Sequence, residues 1–210
     1  MRKNYEINLT YTCNWNCSYC CVDTHNKNIS FTKVKELLKI IEPNSTVSLS
    51  GGEVGTLPKY KIEYVIKQLI IKNCDISLNT NGLFLNKYPE LIKYFDEILY
   101  HCSENLDNSI TLNKKLLELY NKNILKLLLV IDNNGLKKLN TFDFKYTYDI
   151  IPATNSTGKN MSKLDKKLYP KLLKYKKYMI KESYKKLIKN TRYDDIVYLD
   201  ENTLTENNRG

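Results

Sequence analysis

A chain of 210 residues with 33 lysines and arginines, 23 acidic side chains and a formal net charge of +10 is long enough to bury a core without disulfide staples. No stretch approaches the roughly 18 uninterrupted apolar residues of a membrane helix, and the opening MRKNYEINLTYTC lacks the apolar run of a secretory signal, so a soluble cytoplasmic protein with reduced thiols is expected. The basic charge attracts phosphate in principle, but all but three of the basic residues are lysines, and they crowd into KLDKKLYPKLLKYKKYMIKESYKKLIKN, where helical spacing sets most of them on a solvated face; nucleic acid is weakly supported as a partner.

Strand-like and helix-like runs then alternate along the chain. A strand over 5–12 leads into a cysteine-rich loop. An amphipathic helix near 32–42, a strand over 46–50, a helix near 58–72 and a strand over 75–80 follow. Next come a helix near 87–95, a strand over 97–103, a helix near 111–122 and a strand over 125–132. An irregular link near 135–143, a strand over 146–152 and a long helix near 165–189 complete the pattern. Such alternation favours a parallel sheet with right-handed crossovers. Residues 1–190 are expected to form one core domain, and residues 191–210 a partly flexible tail holding one strand-like piece, DIVYL.

Six such units are too few for a closed eight-stranded barrel and enough for a partial (β/α)6 barrel. Ile7, Leu9 and Tyr11, Val47 and Leu49, Ile76 and Leu78, and Ile98 and Tyr100 form one apolar set. The alternate set is polar: Asn8 and Thr10, Ser48 and Ser50, Ser77 and Asn79, His101 and Ser103, Thr147 and Asp149. Successive side chains point to opposite faces, so one face packs helices and the other either lines a wet cavity that opens at the C-terminal strand ends or belongs to a twisted open sheet with buried, hydrogen-bonded hydroxyls. His101, on that polar face, is a candidate proton donor or acceptor, with a hydrogen-bonded interior histidine as the alternative.

The stretch CNWNCSYCC sets Cys13, Cys17 and Cys20 at intervals of four and three residues. Zinc modules pair CxxC with a second pair elsewhere, which is missing here. Three thiolates on one loop suit three irons of a 4Fe-4S cubane and leave the fourth without a protein ligand. Cys21 adjoins Cys20 and cannot share the cubane with it, while Cys74 and Cys102 read as buried thiols. LSGGE at 49–53 ends the second strand; it is an ordinary turn or a place where backbone approaches a ligand, with Glu53 offering a carboxylate to an ammonium. LNTNG at 78–82 and HCSE at 101–104 end the third and fourth strands, and Ser103 there is a ribose ligand or a strand cap.

Taken in this order, CxxxCxΦC with Tyr19 at the aromatic position, then GGE, TNG and HCSE, the chain resembles the radical S-adenosylmethionine (radical SAM) enzymes over about residues 6–155. The resemblance implies a partial barrel, a 4Fe-4S cluster on Cys13, Cys17 and Cys20, and S-adenosyl-L-methionine bound near Tyr19, Ser50, Gly51, Gly52, Glu53, Asn79, Asn81 and Ser103. Val130 and Ala153 would pack the adenine, although the fifth-strand text LLLVIDNNG departs from the family pattern and Val54 replaces a common proline. It also implies reductive cleavage of the cofactor to a 5'-deoxyadenosyl radical that takes hydrogen from a polar substrate, whether small molecule, nucleotide or peptide. A low-potential donor such as flavodoxin or ferredoxin would supply the electron. An activase that installs a glycyl radical on a partner protein, and a non-catalytic metal-binding or nucleic-acid-binding module, are the alternative readings. No cysteine-rich extension follows the core, so a single cluster is expected.

Overall fold

A computed structural model describes residues 2–17, 20, 22, 29–103, 110–153, 156–157, 160–161, 168–181 and 196–199. In chain order the elements are β1 (Asn4–Thr10), α1 (Phe31–Ile40), β2 (Thr46–Gly51), α2 (Lys59–Ile71), β3 (Asp75–Thr80), α3 (Leu83–Lys87), β4 (Glu97–His101), α4 (Lys114–Asn121), β5 (Leu125–Ile131), α5 (Asn133–Leu139), β6 (Asp149–Pro152), β7 (Ser156–Thr157), β8 (Asn160–Met161), α6 (Leu168–Leu172) and β9 (Ile196–Leu199). The main sheet has the strand order β6-β5-β4-β3-β2-β1-β9, and β7 and β8 form a separate antiparallel pair. β1 to β6 run in parallel and do not close, so the expected partial barrel of the α/β class is what the chain folds into.

Two compact units emerge, one of residues 1–15, 24–98 and 193–210, the other of residues 16–23 and 99–192. In the first, Tyr5 pairs with Val47 and Ile7 with Leu49 across β1 and β2, and Val47 with Ile76 and Leu49 with Leu78 across β2 and β3. All six side chains are buried. The same register lays Glu6, Ser48 and Ser77 in one row of the opposite face, each partly exposed. Val34, Leu37 and Leu38 of α1 and Ile62, Val65, Ile66 and Leu69 of α2 are buried. Fully burying one such side chain contributes about 1.5–3 kcal/mol. Ser30 starts α1 by accepting the Lys33 N–H at 3.2 Å. Asn73, at φ 54°, stops α2 in the left-handed conformation, with the Cys74 N–H donating to Leu69 O at 3.0 Å. The tail's DIVYL run supplies β9, which pairs in parallel with β1.

In the second unit β5 pairs in parallel with β6. Asn113 caps α4 and Asp132 caps α5, the latter through the Gly135 N–H at 2.6 Å. Phe142, Phe144, Tyr148 and Tyr178 form an aromatic cluster in which Phe144 lies flat on Tyr178 with ring centroids 4.1 Å apart.

Three sequence expectations change. The link near 135–143 contains α5, because the Asp132 cap nucleates a helix that its two leucines do not advertise. The helix near 87–95 is instead α3 followed by a 3-10 turn, Pro89–Tyr94, since Pro89 lacks the N–H that a continuous helix would use. The long helix near 165–189 ends early: α6 passes into a 3-10 turn, Leu173–Tyr178, and Met179 is extended. There the Tyr148 backbone captures the chain, donating to Tyr178 O at 2.7 Å and accepting from the Ile180 N–H at 3.0 Å. The part of that expected helix over 182–190 lies outside the described residues.

Candidate functional site

At the end of β2 the chain turns back against the segment that leads from β1 into the cysteine loop. Gly52 N–H donates to Thr10 O at 2.6 Å and Glu53 N–H to Thr12 O at 2.9 Å. Gly51 has φ +124°, and a Cβ on either glycine would overlap backbone oxygen, that of Thr10 for Gly51 and of Thr12 for Gly52. The glycines are thus required by a close approach of the protein to itself.

Glu53 faces inward, 1% exposed. Its Oε1 accepts from Gly55 N–H at 2.8 Å, Phe84 N–H at 3.3 Å and the Thr80 hydroxyl at 2.9 Å, and its Oε2 accepts from Asn81 N–H at 2.7 Å and the same hydroxyl at 3.0 Å. Burial pushes the carboxyl upward from its ordinary range, and these donors pull it back. Glu53 thus braces the turn after β2 against the turn after β3.

Asn81 hangs from that brace. Its Nδ2 donates to Asn14 Oδ1 at 2.8 Å and to the Cys13 sulfur at 3.8 Å, while the Trp15 N–H reaches the same sulfur at 3.3 Å. Asn79, one residue before Thr80, has a buried Oδ1 with no hydrogen-bond partner among the described residues. Ser50 is buried, and its hydroxyl bonds to the carboxylate of Glu6, whose pKa is raised by burial. Glu6 is a site candidate that the sequence reading passes over; its signal was a carboxylate in the polar alternation of β1, one step before Asn8.

The second unit carries the remaining candidates. Cys17 and Cys20 are joined by a turn, Cys20 N–H to Cys17 O at 3.1 Å, and Cys20 Sγ donates to Val22 O at 3.6 Å. Burial lowers the pKa of His101 to about 4, so its imidazole is neutral at physiological pH. Cys102 is a buried thiol raised by burial, and its Sγ donates to Tyr100 O at 3.2 Å. Ser103 Oγ accepts the Val130 N–H at 2.7 Å, which makes it a cap between β4 and β5 and leaves its own O–H to donate. Ala153 N–H donates to Ile131 O at 2.8 Å. Tyr19 and Cys21 lie outside the described residues.

Cys13, Cys17 and Cys20 are partly exposed thiols that form no disulfide. Their type fits an iron-sulfur cluster, and the orphaned Asn79 oxygen fits an N–H donor of a bound ligand. Among the described residues no group of three His, Cys, Asp or Glu side chains is gathered for a metal ion.

The Radical SAM superfamily matches this chain over residues 7–146. The chain belongs to that family. Its members are enzymes that use a 4Fe-4S cluster and S-adenosylmethionine (AdoMet). A probable GTP 3',8-cyclase of Methanocaldococcus jannaschii is 36% identical over 128 residues, covering 57% of this chain and 39% of the relative. The GTP 3',8-cyclase of Alkaliphilus metalliredigens is 32% identical over 101 residues, covering 43% of this chain and 31% of the relative. The chain thus matches about a third of the length of these curated relatives. Native anSMEcpe with bound AdoMet and Cp18Cys peptide has the same fold, with a TM-score of 0.55 and 18% identity over 94% of this chain and 63% of that one. Among the described residues no helix is long and apolar enough to cross a membrane.

Proposed function

We propose that Cys13, Cys17 and Cys20 hold a single 4Fe-4S cluster with one iron open to AdoMet, and that the chain takes hydrogen from a polar substrate. When bound, the cluster supplies the electron that cleaves AdoMet to methionine and a 5'-deoxyadenosyl radical. The observation that carries this reading is the GGE turn, bonded through the Gly52 and Glu53 amides to the backbone at Thr10 and Thr12, so that the family's second motif sits on the chain entering Cys13.

The residues act on the bound partners in distinct ways. The Asn79 oxygen accepts from the AdoMet ammonium, a task that Glu53, filled by its own donors, leaves open. The Ser103 hydroxyl donates to the ribose while its oxygen stays with Val130 N–H. Val130 and Ala153, both partly exposed, border the adenine. His101, neutral above about pH 4, contributes a hydrogen bond and no charge. Glu6, Ser48 and Ser77, in one row of the polar face, meet the substrate. A low-potential, acidic flavodoxin or ferredoxin would deliver the electron to this basic chain in the cytoplasm, where thiols stay reduced.

GTP is the first substrate to assay, because the curated relatives named above are GTP 3',8-cyclases. Anaerobic reconstitution and dithionite reduction should give 5'-deoxyadenosine from AdoMet, with faster release when the true substrate is added. An intact cluster that yields none removes the enzymatic reading. A partner protein modified at about one AdoMet each, with no small product, would favour the activase instead.

A further inference from the structure

We propose that Asn81 is a positioning residue for the cluster: its side-chain amide donates to the Cys13 sulfur and raises the reduction potential, and Glu53 fixes the Asn81 backbone where this becomes possible. The inference rests on the cluster assignment made above. It removes Asn81 from the set of AdoMet contacts that the family resemblance suggests.

Each atom of the link is accounted for. The Asn81 N–H donates to Glu53 Oε2 at 2.7 Å, so the backbone is tied to a carboxylate that is itself buried. The Asn81 Oδ1 accepts the Leu83 N–H at 3.2 Å, which commits the carbonyl end of the amide to the start of α3. The NH2 end must then point the other way, and it does so, toward Asn14 Oδ1 at 2.8 Å and Cys13 Sγ at 3.8 Å. With both ends used inside the protein, the side chain has little left to offer AdoMet. Among the described residues the Cys13 sulfur in turn receives an N–H from the Trp15 backbone at 3.3 Å, which no substitution at 81 removes, and one from Asn81.

Hydrogen bonds to a cluster's sulfurs are among the levers that set its potential. A cluster gains negative charge on reduction, and an N–H aimed at a ligating sulfur stabilises that charge. Loss of the donor therefore makes reduction harder, and replacement by an oxygen makes it harder still. Glu53 makes the effect specific. Because the carboxylate clasps Gly55, Thr80, Asn81 and Phe84 at once, Asn81 cannot drift from Cys13 without breaking a buried bond.

The test is an EPR-monitored redox titration of the full chain, reconstituted with iron and sulfide, for wild type, Asn81→Leu and Asn81→Asp, with iron counted in each. Asn81→Asp keeps an acceptor for Leu83 N–H and turns an oxygen toward the sulfur. With cluster content equal to wild type, Asn81→Leu should leave about tenfold less of the cluster reduced at the wild-type midpoint, and Asn81→Asp less again. An unchanged midpoint in either variant that keeps its iron overturns the proposal. So does loss of the cluster from both variants, which would make Asn81 a prop for the loop and nothing more. A wild type that binds no AdoMet-responsive cluster would instead remove the cluster assignment, and this inference with it.

Discussion

The strand ends after β2 and β3 are held by a carboxylate, and those after β4 and β5 by a hydroxyl. In the first, Glu53 collects the amides of Gly55, Asn81 and Phe84 together with the Thr80 hydroxyl; in the second, Ser103 Oγ takes the Val130 N–H beside a neutral histidine and a buried thiol. Hydrogen bonds to a charged acceptor contribute about 1.5–3 kcal/mol each, roughly twice a neutral one. The GGE end should therefore be stiff and the HCSE end more easily altered. Motif residues at the stiff end serve the scaffold.

Substitutions sharpen the contrast. Glu53→Ala strands a hydroxyl and several amides in a buried place and should cost about 4 kcal/mol in urea unfolding, near the upper end of what a single substitution costs. A loss under about 1 kcal/mol would mean that solvent or rearrangement fills the gap. Next is Gly52→Ala, whose Cβ overlaps Thr12 O; it should cost about 3 kcal/mol and lower iron retention, since the backbone entering Cys13 has to move.

The soft end responds to pH. The folded pKa of His101, about 4, lies below its ordinary 6.5, so the unfolded chain binds the proton first as pH falls. Its contribution is whole above pH 6.5 and is lost on descent toward pH 4, up to about 3 kcal/mol at about 1.36 kcal/mol per unit. His101→Gln should flatten the unfolding free energy across that window; equal slopes in both proteins would mean that the imidazole titrates as in solvent. At the smallest scale, Asn123→Ala should cost about 1 kcal/mol of thermal stability, because it stands at φ 59°, and Asn123→Gly about nothing.

Much of this was legible beforehand, for identifiable reasons. The strands announced themselves because Ile7, Leu49 and Leu78 alternate with polar neighbours, and the register repeats that alternation across β1, β2 and β3. Pro89 also signalled the break in the third helix, and the apolar spacing around it masked that signal. α5 was hidden because its start depends on one capping side chain, and the end of α6 because it depends on a distant backbone, that of Tyr148. Within the site, residue types disclosed the thiols and the GGE turn. The direction in which Glu53 points was beyond reach, since its donors come from β3 and α3 and gather only once β2 and β3 pair.

The most direct test of the open iron is the EPR spectrum of the reduced, reconstituted chain with and without AdoMet. Three protein sulfurs on a four-iron cluster predict a spectrum that changes on addition of AdoMet and changes back when it is removed. An identical spectrum in both conditions, from a cluster with its full iron content, would contradict the account.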